Sequence, residues 1–116
     1  MAHHKINYVE LKTTDVAAMK DFYGAAFGWT FVDYGPDYAS FEGAGLDGGF
    51  ERVDAVPGGG GALVILYSDD LEASRKAVTD AGGIIATEPF DFPGGRRFHF
   101  TDPAGNELAV WTKAAE

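Results

Sequence analysis

Three side chains in this sequence could take part in acid–base chemistry near neutral pH. His99 could act as a general base or as a metal ligand, because the imidazole ring changes its charge close to neutrality. Glu107 could orient that ring or serve as a partner base, and an aromatic neighbour could raise the pKa of Glu10 enough for proton transfer. The structural alternatives are that His99 pairs with a neighbouring carboxylate and that Glu10 bonds a nearby lysine or arginine. A displaced metal site formed by all three side chains is a further hypothesis.

The composition narrows the classes of partner. The chain has 116 residues, of which 46% are hydrophobic, and this length suits one domain with a single core. Its net charge of -9 argues against nucleic acid and anionic membranes as partners, because both would repel it. The absence of cysteine excludes disulfides and thiolate metal sites. No apolar run is long enough to span a bilayer and the N-terminus lacks a signal-peptide pattern, so we expect a cytoplasmic domain.

Hydrophobic periodicity identifies the element that carries two of the three side chains. Residues 98–101 and 107–111 alternate between apolar and polar positions, and a Pro/Gly/Asn turn at residues 102–106 separates them. This pattern predicts an antiparallel hairpin, with His99 on one strand and Glu107 on the other.

The first half of the chain has the order β-α-β-β-β. Thr14 or Asp15 can cap a helix whose apolar residues recur at helical spacing until Gly28 ends it. The segments around this helix alternate with period two or are rich in aromatic and β-branched residues. The predicted strands are residues 6–12, 29–33, 38–42 and 49–53.

The same order restarts after a glycine-rich linker at residues 57–61. An acidic cap at Asp69 or Asp70 begins a second helix, and Gly82-Gly83 ends it. The predicted segments of this half are a strand at 62–67, a helix at 71–81, a strand at 84–87, an irregular excursion at 89–95 and the hairpin at 98–111.

An internal duplication of this kind predicts an α+β fold of two tandem βαβββ modules. A repeat that cannot cover its own sheet face must stack on its partner. We predict one domain over residues 1–116, with module one at 6–53 and module two at 62–112. The two sheets should form a curved, U-shaped mixed sheet, with the helices on the outside and a concave cleft that shields a small ligand from water.

Several short motifs along residues 6–112 resemble one known family. They are Val9-Glu10-Leu11, Thr13-Thr14-Asp15, Phe22-Tyr23-Gly24, Phe27-Gly28-Trp29, Asp69-Asp70-Leu71, Gly82-Gly83 and Asp102-Pro103-Ala104-Gly105-Asn106. In this order the motifs are similar to those of the vicinal oxygen chelate superfamily, which contains glyoxalase I, bleomycin-resistance proteins and extradiol dioxygenases. The resemblance implies paired βαβββ modules around a U-shaped cleft, in agreement with the repeat.

The resemblance also indicates where a metal would bind. In metal-dependent members, one histidine near the start of each module and one glutamate on its last strand hold a divalent cation. The matching positions here are Tyr8 and Leu63 for the histidines, and Gly49 and Ala109 for the glutamates. None has an imidazole or carboxylate, so the Lewis acid of the glyoxalase I and dioxygenase mechanisms would have no preformed site. We therefore predict no metal and no other cofactor.

Strand parity gives the residues that line the predicted cleft. If the first histidine position faces the cleft, alternate residues of each strand face it too. Such a lining suits an aromatic or amphipathic small molecule held by stacking and charge-assisted bonds, although Trp111 could equally be structural. The predicted ligand-binding residues are Tyr8, Glu10, Tyr67, Arg97, His99, Glu107 and Trp111, and no catalytic residue is assigned.

Three functions compete on this basis. The first is a metal-free member of the superfamily that sequesters or senses a small molecule, by analogy with the antibiotic-resistance relatives. The second is a glyoxalase-like lyase, isomerase or dioxygenase that uses a non-standard site. The third is a domain whose cleft is filled by its own side chains and whose function lies in pairing. Relatives often dimerise, so a homodimer stays open.

Overall fold

The computed structural model describes residues 3–57 and 61–115, and most of the predicted linker, residues 58–60, lies outside this part. Within these described residues, ten elements follow one another in the order of two βαβββ modules. This order confirms the predicted α+β class with tandem modules. Module one contains β1 Tyr8–Thr13, α1 Val16–Phe27, β2 Thr30–Asp33, β3 Tyr38–Glu42 and β4 Asp47–Arg52. Module two contains β5 Val64–Tyr67, α2 Leu71–Asp80, β6 Ile84–Phe92, β7 Gly95–Thr101 and β8 Glu107–Lys113.

Each module forms one four-stranded mixed sheet with the same topology. The strand order is β1-β4-β3-β2 in module one and β5-β8-β7-β6 in module two. The first strand of each module pairs in parallel with the last, and the remaining pairs are antiparallel. In the part of the chain that the structure describes, β1 and β5 belong to separate sheets, so backbone pairing does not join the modules.

The helix ends agree with their sequence signals. The Asp15 carboxylate accepts a hydrogen bond from the Ala18 backbone N–H at 3.1 Å, and Asp70 accepts one from Ala73 at the same distance. Gly28 adopts the left-handed conformation, with φ of 74°, and its N–H donates to the Gly24 carbonyl at 3.0 Å. Neither helix of the described chain is long and apolar enough to cross a membrane.

A single aromatic core joins the two modules. The α1 side chains Met19, Phe22 and Tyr23 are almost completely buried, and the Phe22 ring lies 5.9 Å from that of Phe100 in β7. On the hairpin, Phe98 and Phe100 face this core, as strand parity predicts. Helix α1 therefore packs against both modules, and the opposite face of each sheet carries polar and aromatic side chains.

Polar contacts fix the position of the hairpin turn relative to module one. The Tyr23 hydroxyl donates to the buried Asp102 carboxylate at 2.9 Å, and Asp102 also accepts from the Asn106 backbone N–H at 3.0 Å. The Asn106 side-chain amide donates to the Lys12 carbonyl at 2.8 Å. The residue types at 102–106 favour a turn by their local conformation. This turn is in addition a contact between the two modules.

The predicted excursion at residues 89–95 is wrong. Strand β6 continues to Phe92 through Pro89, with two shifts of register against β7. Proline is tolerated there because β6 lies at the edge of its sheet, where a missing N–H costs no ladder hydrogen bond. The turn is confined to Pro93 and Gly94, and Gly94 has φ of 107°.

Candidate functional site

The face of module one opposite the core carries a hydrogen-bonded polar network. Tyr8, Glu10 and Lys12 project from β1 on this face, as parity predicts. The Tyr38 hydroxyl donates to one Glu10 carboxylate oxygen at 2.9 Å and lies 2.5 Å from the Tyr8 hydroxyl. Lys12 donates to the other Glu10 oxygen at 2.9 Å and also bonds Glu51. Five side chains of one module therefore hold each other in place.

The hydrogen bonds of this network shift the pKa of the Glu10 carboxyl group. The hydrogen bond from Lys12, followed by that from Tyr38, lowers the pKa of Glu10 below its ordinary value of 4.5. The bonds to Glu51 and Glu10 raise the pKa of Lys12. Burial, together with the Tyr8 and Glu10 hydrogen bonds, raises the pKa of Tyr38. The idea that an aromatic neighbour raises the pKa of Glu10 is therefore wrong, and the alternative of a carboxylate bonded to a lysine is correct.

The Tyr38 phenol lies over Gly49, the position that matches the metal-binding glutamate of module one. A Cβ atom at Gly49 would collide with the phenol oxygen and the adjoining ring carbon of Tyr38. The phenol can cross the sheet towards Glu10 only because this position has no side chain. A tyrosine from the neighbouring strand thus occupies the space that a carboxylate would need.

The strand register confirms which positions of the two modules are equivalent. Gly49 lies between Glu10 and Ser40, and in the same way Ala109 lies between Ile65 and His99. The four positions that match the family's metal ligands by resemblance carry Tyr8, Gly49, Leu63 and Ala109, which offer one phenol and no imidazole or carboxylate. In residues 3–57 and 61–115, no group of three or more histidine, aspartate or glutamate side chains could hold a cation. This set of side chains does not fit the divalent metal of the family.

The corresponding face of module two is aromatic around one guanidinium group. The Arg97 guanidinium lies 5.3 Å from the ring centroid of Phe90 and 5.4 Å from that of Phe92. The Phe92 ring lies 6.2 Å from Trp111, and Trp111 makes an edge contact with Tyr67 at 5.1 Å. These side chains form a continuous surface, which we call the aromatic face: Tyr67, Phe90, Phe92, Arg97, His99 and Trp111.

Two polar atoms of this face are buried and have no hydrogen-bond partner among the residues that the structure describes. They are Nε of Arg97 and Nε2 of His99. The other ring nitrogen of His99 lies 2.8 Å from the Glu107 carboxylate. A carboxylate only accepts, so His99 Nδ1 carries the proton in this pair, and Nε2 of the neutral ring is an acceptor. Arg97 Nε–H is always a donor. In the described residues, the aromatic face thus contains one buried donor and, when the imidazole is neutral, one buried acceptor that no side chain satisfies.

The structure separates the predicted site residues into two sets. Tyr8 and Glu10 belong to the network of module one, whereas Tyr67, Arg97, His99, Glu107 and Trp111 lie together on module two. In the described chain, every hydrogen bond of the Glu10 side chain is made within module one. The displaced metal site of Glu10, His99 and Glu107 is therefore not assembled.

Sequence reasoning missed three residues that shape these faces. Tyr38 alternates with Ser40 on β3, so parity would have placed it on the same face of the sheet as Gly49, the residue opposite Ser40. Phe90 and Phe92 alternate in the same way, but the proline and glycine residues around them concealed the strand. Continuing the period of two through Pro89 would have placed both rings beside Arg97.

Comparison with known proteins gives a consistent result. The family model described as Glyoxalase/Bleomycin resistance protein/Dioxygenase superfamily matches residues 5–110. The anthracycline biosynthesis protein DnrV of Streptomyces peucetius is 36% identical over 91% of this chain and 46% of its own length. A putative glyoxylase, CFP32 of Mycobacterium tuberculosis, is 32% identical over 90% of this chain and 44% of its own length. This chain thus spans about half the length of these curated relatives.

A solved structure shows the same fold at low sequence identity. The glyoxalase-related enzyme from Fulvimarina pelagi superposes with a TM-score of 0.80, at 20% identity, over 95% of this chain and 88% of that one. The likeness concerns the arrangement of the strands and helices.

Proposed function

Since this chain belongs to the glyoxalase/bleomycin resistance protein/dioxygenase superfamily, we propose that it binds a planar aromatic small molecule on the aromatic face of module two, without a divalent metal. Binding of this kind would serve to sequester or to sense the ligand. The proposal concerns the domain described here, because the curated relatives are about twice as long.

The observation that carries the proposal is the pair of polar atoms that no described residue satisfies, which lie among aromatic rings in mutual contact. A buried donor or acceptor without a partner costs about 1–3 kcal/mol, and a ligand oxygen that bonds it recovers this free energy. Arg97 Nε–H would bond a carbonyl or ionised oxygen, and His99 Nε2 would accept from a hydroxyl. The rings of Phe90 and Phe92, which lie next to the guanidinium, would stack on a flat ligand.

The residues at the metal positions support the metal-free part of the proposal. A phenol, two small residues and one leucine cannot replace two histidines and two glutamates as ligands. The lysine bound to Glu10 and the phenol over Gly49 also keep cations away from the module-one half of such a site.

The name of one relative supports the ligand class. DnrV is named as an anthracycline biosynthesis protein, and anthracyclines are planar polycyclic aromatic compounds with hydroxyl and carbonyl oxygens. A flat ring system with such oxygens matches the stacking surface and the donor and acceptor of the aromatic face.

A pair of adjacent arginines tests the proposal. We expect anthraquinone-2-sulfonate, a soluble planar anion, to bind with saturable quenching of tryptophan fluorescence. Arg97→Gln should weaken binding about tenfold, because a hydrogen bond to a charged group contributes about 1.5–3 kcal/mol. Arg96→Gln is the matched control, since Arg96 points to the other side of β7 and bonds Asp91 at 3.1 Å.

Comparing the two variants distinguishes binding at the aromatic face from a general effect of surface charge. The control should bind within about twofold of the unmodified protein, because surface charge alone has a weak, salt-screened effect. Equal weakening in both variants, or a lack of saturable quenching in the unmodified protein, would reject the aromatic face as the ligand site.

One observation favours an enzyme as the second candidate. The Glu107 carboxylate holds the His99 ring at 2.8 Å, which is how a general base is oriented in many active sites. A glyoxalase-like lyase, isomerase or dioxygenase could use this pair with a non-standard metal. Metal analysis after purification without a chelator distinguishes the two candidates: a stoichiometric transition metal that is lost in His99→Ala or Glu107→Ala would reject the metal-free proposal. A homodimer and a cytoplasmic location stay predictions.

A further inference from the structure

Module one has an open pocket that the proposed function does not use. Its volume is about 430 Å³, and it lies on the face of the sheet opposite the core. Three tyrosines, from β1, β3 and the turn between β2 and β3, dominate its lining. We call it the tyrosine pocket, and it is lined by Tyr8, Tyr34, Tyr38, Ser40 and Asp47, with Phe41 and Gly48 behind them.

The aromatic rings of this pocket face solvent. Tyr34 is 65% exposed and Tyr8 is 46% exposed, although burying an aromatic ring would be favourable. The rings of Tyr34 and Tyr38 meet at 6.5 Å with an angle of 58° between their planes. The hydroxyls of Tyr8 and Tyr38 hold these two residues together, so most of the wall is fixed before a ligand arrives.

One carboxylate of the pocket lacks a cationic partner. Asp47 lies beside Tyr8 in the parallel register of β1 and β4. In the described residues, its side chain makes no ion pair or hydrogen bond, whereas Lys12 bonds both Glu10 and Glu51 on the same face. Asp47 is therefore available as the counter-ion of a bound cation.

Rings and carboxylate together select one chemical class. The face of an aromatic ring carries negative partial charge and attracts cations, most strongly those that are bulky and weakly hydrated. The net charge of -9 adds a long-range attraction for cations. We propose that the tyrosine pocket binds an organic ammonium group, with Asp47 as its counter-ion.

This site differs from the aromatic face in position and in charge preference. The aromatic face lies on module two and presents an arginine, which repels cations. The tyrosine pocket lies on module one and presents a carboxylate. An experiment can therefore reject one of the two proposed sites and leave the other supported.

Two probes of equal shape test the role of charge. Choline carries a trimethylammonium group, and 3,3-dimethylbutan-1-ol has a neutral tert-butyl group in its place. We expect choline to shift the tyrosine ring resonances in a saturable NMR titration. The neutral alcohol should bind at least about fivefold more weakly, because it lacks the attraction to the rings and to Asp47.

Matched variants locate the binding. Tyr34→Leu should weaken choline binding about fivefold and Tyr34→Phe by less than about twofold, because phenylalanine keeps the ring. Asp47→Asn should weaken it about threefold at low salt. Asp37→Asn removes an equal charge from the turn that also carries Tyr34, at a residue that does not line the pocket, and should have little effect. Arg97→Gln should leave choline binding unchanged.

Melting curves of all variants should confirm that they are folded, which the high exposure of Tyr34 favours. Equal affinity for choline and the alcohol would show a merely apolar pocket and overturn the proposal. Equal effects of Asp47→Asn and Asp37→Asn would attribute the binding to bulk charge and overturn it as well. A choline titration without saturation would also overturn the proposal.

Discussion

Gly49 has no side chain, and this leaves room for the Tyr38 phenol. The position would carry a glutamate in a metal-dependent relative, and here the Tyr38 phenol fills the space above it. The phenol bonds Glu10, whose remaining oxygen is bonded by Lys12. The side chains around Gly49 thus form a network of neutral and oppositely charged groups that bond one another.

Gly49→Ala should disrupt this network. The added methyl group would collide with Tyr38 and move its hydroxyl away from Glu10, so the pKa of Glu10 should rise towards 4.5. Tyr38→Phe removes the same hydrogen bond without a collision and should raise the pKa in the same direction. NMR titration of the Glu10 carboxyl carbon measures both. An unchanged Glu10 pKa in both variants would contradict the role given to Tyr38.

Asp102 is the buried carboxylate that fixes the hairpin turn to Tyr23. It is 5% exposed, and burial raises its pKa above the ordinary value of 3.8, although hydrogen bonds from Asn106 and Tyr23 oppose the rise. The folded state therefore holds this proton more tightly than the unfolded state. The stability that this shift contributes is fully present below pH 3.8 and is lost as the pH rises through the folded pKa.

Asp102→Asn should remove this pH dependence. Asparagine cannot lose a proton, so the unfolding free energy of the unmodified protein should fall relative to that of the variant as the pH rises above 3.8. Urea unfolding of both proteins between about pH 3 and pH 7 measures the difference. Asp21→Asn, at an exposed position of α1, is the control and should leave the slope unchanged. A constant or rising difference for Asp102→Asn would be inconsistent with the raised pKa.

Among the elements, α1 shows most clearly how local sequence fixes structure. Its cap at Asp15, its buried face and its end at Gly28 all agree with signals in the sequence. Strand β6 shows the opposite case. Pro89 indicates a break, but the strand continues because its position at the sheet edge removes the cost of a missing donor. Edge position is a property of the whole sheet, and a local window cannot contain it.

Two glycines of α1 should respond to alanine in opposite directions. Gly24→Ala adds a methyl group at an ordinary contact distance of 3.5 Å from Phe31, and should stabilise the helix by about 0.5–1 kcal/mol. Gly28→Ala places a Cβ in the left-handed region, with φ of 74°, and should destabilise by about 1–2 kcal/mol. Denaturant unfolding of the two variants measures both signs. A stabilising Gly28→Ala would refute the assigned end of the helix.

On the scale of the whole molecule, the modules share a core but not a polar face. Phe22 and Tyr23 of α1 reach Phe100 and Asp102 of module two, so the modules fold around one interior. The networks on the two polar faces are each completed within one module in the described chain. The two proposed sites therefore present different chemistry, an arginine with aromatic rings on one module and a carboxylate with tyrosines on the other.

Removal of metal should leave this molecule unchanged. A protein that binds a metal only when folded loses stability when a chelator removes it. Because the family positions offer no ligand set, excess EDTA should leave the melting temperature unchanged, and added Zn²⁺ or Ni²⁺ should not raise it. Differential scanning calorimetry measures these shifts. A fall of several degrees in EDTA that added metal reverses would refute the metal-free proposal.

The sequence by itself determined the repeat, the caps of both helices, the core-facing side of the hairpin strands and the residue types at the positions that match the family's metal ligands. These features depend on neighbours within one turn or one strand, or on identity alone, so periodicity reveals them. Only the tertiary structure decided that Tyr38 lies over Gly49, that the rings of Phe90 and Phe92 contact Arg97, and that Asp102 joins the modules. These contacts join residues on different strands or in different modules, where distance along the chain carries no information about proximity in space.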